Sequence, residues 1–221
     1  MLPPLTDLVA LLGITLVLCA GCLRLLGRRD PVAPATRWAR WVTAAMFLIL
    51  WCPVGEAHLP LVAYLRGISS DLSITLVAMA CMDACRRLFG LHALARRERM
   101  SVDVAVAASA LFLYPLALGW GDWDLYRWGW GGAGMWAVLL TLSLLCWARG
   151  LRLLPVLVAL ALLAWTAGLL ESTNLWDYLM DPWLATAALL QCAKEGSRKL
   201  QAAWRPIGRR EPDPLSSRRV S

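Results

Sequence analysis

The chain predicts an all-α fold: a polytopic integral membrane helical bundle of seven transmembrane helices, the last one short, with the N-terminus outside and the C-terminus inside. Three observations carry this. The 221 residues are 59% hydrophobic and 17% charged, and mean hydropathy is +0.58, whereas a soluble domain is about 45–50% apolar and about 25% charged. Apolar runs able to cross about 30 Å of hydrocarbon at 1.5 Å per residue recur along the chain. The basic residues segregate to alternate connections.

The windows fall at 6–26, 36–53, 71–89, 101–119, 133–149 and 151–170, with a seventh starting within 174–182 and ending near 194. Leu8 to Leu26 reads as a retained first span: Met1 to Asp7 hold no basic residue, and the run ends in Arg24, Arg28 and Arg29, not at a small-residue cleavage site. Pro155 stands in the first turn of the sixth window, where its missing donor is harmless. Pro115 near the end of the fourth predicts a kink or a stop. Residues 1–195 form one membrane-embedded helical domain; 196–221 read as a basic, mostly disordered cytoplasmic tail with a short surface helix around Leu200 to Trp204.

Short cytoplasmic loops retain Arg and Lys. With seven crossings from an outside N-terminus, 20 of the 22 basic residues lie inside and only Arg66 and Arg127 outside, while eight of the 15 acids lie outside. No six-span arrangement does as well. The net charge of +7 is then a dipole whose basic face meets the anionic headgroups of the cytoplasmic leaflet. Nucleic acid is not implied, because the arginines are spread over four membrane-proximal segments without an accompanying motif. The predominance of Arg over Lys suggests a GC-rich coding bias, and with it the cytoplasmic (inner) membrane of a bacterium.

The seven cysteines lie in apolar segments, and Cys19-Ala-Gly-Cys22 and the pair Cys81 and Cys85 read as packing residues. The two histidines, His58 and His92, fall on opposite sides, which disfavours a bis-His haem or a His-rich metal site. No metal site and no particular cofactor is implied. Asp83 has Arg86 and Arg87 at i+3 and i+4, so an intrahelical pair can satisfy it. Nucleophile-elbow, Walker A and paired His-Glu motifs are absent.

The outer face holds the candidate ligand-binding residues. Nine of 13 tryptophans fall there, more than an aromatic belt requires. GWGDWDLYRWGWGG, residues 119–132, interleaves Trp and Gly with Asp122, Asp124 and Arg127, so it can fold back as a lid in which Trp123 and Trp128 are shielded. The loop reads first as an interfacial segment anchored by its aromatics; the alternative is a binding surface, since aromatic faces beside carboxylates suit a sugar ring or a lipid headgroup. The segment 54–71 brings Glu56, His58, Arg66 and Asp71 to the same surface, with Pro60 opening a short helix from Leu61 to Arg66.

Asp181 is 13 residues before Lys194, about 20 Å along a helix. It therefore lies about 10 Å below the outer surface of a hydrocarbon layer about 30 Å thick. Asp181-Pro182 makes an acidic N-cap followed by Pro at the first helical position. Irregular backbone above it requires surrounding protein or a water-filled cavity. The expected arrangement is an outward-open polar vestibule with Asp181 at its floor, Glu171, Asn174, Asp177 and Tyr178 on its wall, and Arg66 or Arg127 paired with Asp181.

These features predict a non-catalytic accessory protein or subunit of envelope assembly whose acidic, Trp-rich outer face binds a lipid-linked glycan, a lipid or a partner protein. The rivals are a membrane-embedded transferase or hydrolase using two outer carboxylates with a divalent cation, and a small transporter with Asp181 as a proton or cation site.

Overall fold

A computed structural model describes residues 4–26 and 37–204, with the side chains of Arg37 and Trp38 left out. It is mostly helical. The longer helices are α1 (Leu5–Leu26), α2 (Arg37–Trp51), α4 (Ile74–Phe89), α5 (Arg96–Ala117), α6 (Ala133–Ala148), α7 (Leu153–Thr166) and α9 (Pro182–Trp204), with α3 (Leu61–Ser69) and α8 (Leu175–Leu179) as short pieces between them. Two helices, α1 and α5, are long and apolar enough to cross a membrane by length and composition.

Each predicted window contains a helix, because apolar runs bounded by Gly, Pro and capping residues are local signals. Ser73 caps α4 by accepting from the Leu76 N–H at 3.2 Å, and Gly90 closes it in the left-handed conformation. Three differences stand out. Pro60 is the N-cap of α3, which continues past Arg66 to Ser69. The residues before it form a two-stranded antiparallel hairpin, β1 (Pro53–Val54) and β2 (Leu59–Pro60), registered Pro53 opposite Pro60. Finally, α9 runs ten residues past Lys194 to Trp204, so the expected tail from 196 is helical at its start. The rest of that tail, 205–221, and the basic connection 27–36 lie outside the described residues.

Small residues let the helices approach closely. Ala10, Gly13 and Ala20 of α1 are buried, as are Ala80 and Ala84 of α4, and the two helices pack side by side. α5 packs against α9, where Ala185 and Ala188 are buried, and α7 joins α4, α5 and α6.

The packing gives the molecule two chemically different ends. One gathers Asp7, Arg66, Asp71, Ser73, Glu171 and Asp181. The other holds Asp83 between Arg24, Arg86 and Arg87. There too Arg96 pairs with Glu195, and Glu98 accepts from the Arg152 and Leu153 N–H groups at 2.9 Å each. The expected Asp83 intrahelical pairing is present, with Arg24 of α1 added at 3.2 Å.

Candidate functional site

The acidic end is built from two adjoining polar clusters. The first surrounds the start of α9. Asp181, 5% exposed, caps that helix as its sequence predicts: Oδ1 accepts from the Leu184 N–H at 2.8 Å. Its other oxygen accepts from the backbone N–H of Ser73, also at 2.8 Å, so one carboxylate ties the first turn of α9 to the residue that caps α4. The expected partnership with Arg66 or Arg127 is absent: among the described residues Asp181 makes no ion pair. Two aligned N–H donors and a helix N-terminus supply charge-assisted bonds and a positive dipole end at the carboxylate itself.

Asn174, 1% exposed, uses both ends of its amide. Its Oδ1 accepts from the Trp176 N–H at 3.0 Å, capping α8, and its Nδ2 donates to the carbonyl of Tyr126 at 2.9 Å. Trp176 donates its indole N–H to the Leu125 carbonyl at 3.0 Å. The Tyr178 hydroxyl accepts from the Leu170 N–H at 3.1 Å and lies 3.1 Å from the Ser172 carbonyl. Asp177 accepts from the hydroxyls of Tyr126 and Ser172. The expected open vestibule is thus a closed network, because each of these groups finds an internal partner where burial makes an unmet one costly.

This network docks the Trp-rich loop. Residues Leu125–Trp130 form a 3-10 helix capped by Asp124, whose side chain accepts from the Arg127 N–H at 3.3 Å. Gly129 is buried against Asn174 and Trp176, and the Trp128 ring lies over Gly134. The turn 125–130 thus docks on this network through Gly129 and Tyr126, but the expected shielding of the two tryptophans is absent: Trp123 is 73% exposed and Trp128 38% exposed. Asp122, Asp124 and Arg127 are exposed as well, and Glu56 and His58 stand exposed in the turn between β1 and β2.

Tyr126 is a testable reporter of the docking. Burial, and then its bond to the Asp177 carboxylate, push its phenol from an ordinary 10 up to about 12. A raised folded-state value means the contribution to stability is complete below pH 10 and lost as pH rises through about 12. Ultraviolet titration of wild type against Tyr126→Phe should show the missing tyrosinate signal above the range of ordinary phenols; a difference appearing at the ordinary value would show the loop undocked.

The second cluster centres on Arg66. Its guanidinium takes Asp71 at 2.9 Å through Nε, Asp7 at 2.6 Å through Nη1 and Glu171 at 2.6 Å through Nη2. Burial pushes this group down, but the bonds to Asp7 and Asp71 and the charges of Asp71 and Glu171 outweigh that and raise it. Asp71 also accepts from the Glu171 N–H at 3.2 Å. The three carboxylates come from α1, the connection before α4 and the connection before α8, so one planar fork joins distant segments.

Beside this fork lies a cleft of about 740 Å³ whose apolar wall includes Leu8, Leu11 and Trp51. Glu171 keeps a 66% exposed side chain at its edge. The structure thus unites Arg66, Asp71 and Glu171 from the expected set and adds Asp7 and Trp51. In the sequence Asp7 is legible only as one of the eight acids expected on the outer side. Ser73 acts through its backbone N–H, for which side-chain chemistry offers no signal.

Fold and site define a class no finer than a mostly helical protein with an acidic, aromatic cleft at one end and arginine-rich clusters at the other. Comparison with protein-family models, with curated proteins and with solved structures finds no match to the chain.

Proposed function

We propose that the chain is a multi-pass membrane protein that binds the hydroxyl-rich head of an amphipathic lipid, such as a lipid-linked glycan, in the Arg66 cleft, as a non-catalytic component of bacterial envelope assembly. Seven spans, α1, α2, α4, α5, α6, α7 and α9, cross the cytoplasmic membrane from an outside N-terminus, and α3 and α8 lie at the outer surface. Large apolar side chains facing outward on several helices support this, among them Leu12, Leu48, Phe112, Leu140 and Leu163. α2, α4, α6 and α7 have 14 to 16 residues, about 21–24 Å of helix. Turns at their ends and local thinning complete the crossing.

The observation that carries the ligand class is the charge count at the cleft: one guanidinium, already engaged, against three carboxylates. Such a site repels phosphate and offers acceptors to hydroxyl donors beside an apolar wall. With protein in lipid nanodiscs, a short-chain alkyl maltoside should bind, and Glu171→Gln should weaken it about tenfold, the equivalent of one lost charge-assisted bond. An alkyl phosphate of equal chain length should bind far less. Equal or tighter phosphate binding, or an unchanged Glu171→Gln, overturns the ligand class. Reporter fusions after residues 95 and 150 should read as cytoplasmic and those after 68, 125 and 173 as exported; reversal at two sites overturns the topology.

A further inference from the structure

The arginine-rich end carries a groove that the outer cleft does not explain. α5 and α6 are consecutive helices, yet each packs on α7 and they share no substantial contact with one another. Between them lies a groove of about 800 Å³ floored by Leu151 and Leu154. On α5, Arg97, Ser101, Ala105 and Ala108 line it, recurring at helical spacing and so sharing one face, with Met100 and Val104 along its edge. A face of small residues in a membrane helix is ordinarily covered by a neighbour that can approach closely. Here no described helix covers it.

Charge at the mouth identifies the occupant. Arg96, Arg97 and Arg149 surround it. Arg96 is held by Glu195, and Glu98 is committed to the Arg152 and Leu153 N–H groups. Arg97 donates to the Arg149 carbonyl at 3.2 Å, but neither Arg97 nor Arg149 forms an ion pair among the described residues. Both residues line the groove, and a guanidinium can bond a phosphate bidentately. From Arg97 to Ala108 the helix rises about 16 Å, close to half of a hydrocarbon layer about 30 Å thick.

We infer that this groove holds one anionic phospholipid of the cytoplasmic leaflet, its phosphate between Arg97 and Arg149 and one acyl chain along Ser101, Ala105 and Ala108. The site rests on the membrane reading above and is independent of the Arg66 ligand. Its acyl chain covers this face of α5, and its headgroup neutralises the charges of Arg97 and Arg149.

The test is lipid retention. Protein reconstituted with equal amounts of phosphatidylglycerol and phosphatidylcholine, then re-extracted in mild detergent, should keep about one phosphatidylglycerol per chain by mass spectrometry. Arg97→Gln with Arg149→Gln should lower that retention about tenfold or more, as expected for two charged contacts. Ala105→Trp, which fills the groove and leaves both charges, should lower it likewise. Arg198→Gln with Lys199→Gln, basic positions outside the groove, should change it little. Equal retention of the two lipids, a control variant as damaging as the groove variants, or a dimer cross-linked through Ala105→Cys each overturns the proposal. Release of the protein from membranes by alkaline carbonate would instead overturn the membrane reading itself.

Discussion

Asp181→Ala should cost about 2–6 kcal/mol, since it leaves two buried N–H donors without an acceptor at about 1–3 kcal/mol each. The donors are those of Ser73, which is fully buried, and Leu184. The second loss also removes the cap of α9. The effect should appear as a lower detergent-solubilised yield and an earlier loss of helical circular dichroism on heating. Asp181→Asn, which keeps one carbonyl oxygen, should lose about half as much. Because the carboxylate is held by backbone donors, Asp181→Arg combined with Arg66→Asp or Arg127→Asp should show no rescue. Recovery in either double variant would restore the ion pair that the sequence suggests and the structure does not contain.

Gly129→Ala should be as damaging or worse, about 4 kcal/mol or more, the range reserved for substitutions with no room to relax. An added Cβ would overlap Asn174 Oδ1 and stand 2.8 Å from Trp176 Cδ1. Asn174 cannot retreat freely, because the same amide caps α8 and bonds the Tyr126 carbonyl. The loop should therefore undock as a unit, and limited proteolysis within 119–132 should accelerate together with aqueous quenching of Trp128. Gly131→Ala is the control: its added methyl meets nothing within 4 Å, and only its φ of +94° resists the change. A Gly129→Ala protein as protease-resistant as wild type would show that the glycine is not needed for close approach.

Legibility differed by the range of the interaction. The positions of the main helices, the Asp181-Pro182 start and the Asp83 pairing with Arg86 and Arg87 all depend on residues within one or two turns. They were therefore readable as patterns of apolar run, punctuation and i+3 or i+4 spacing. The hairpin at Pro53–Pro60 escaped because strands of two residues carry no alternation to detect.

The sequence by itself determined a helical, strongly apolar chain, the start of α9 at Asp181 and the separation of acidic from basic segments. Only the tertiary structure decided who binds whom across those segments. Arg66 and Arg127 are indistinguishable in one dimension, each a lone cation between apolar runs. Packing of α1, α3 and the connection before α8 brings Asp7, Asp71 and Glu171 to the first and leaves the second exposed. Likewise Asp181 could be judged in need of a partner from its depth, but its partner is the main chain of Ser73, 108 residues away. A backbone donor is present at every residue except proline, so choosing among them requires the fold.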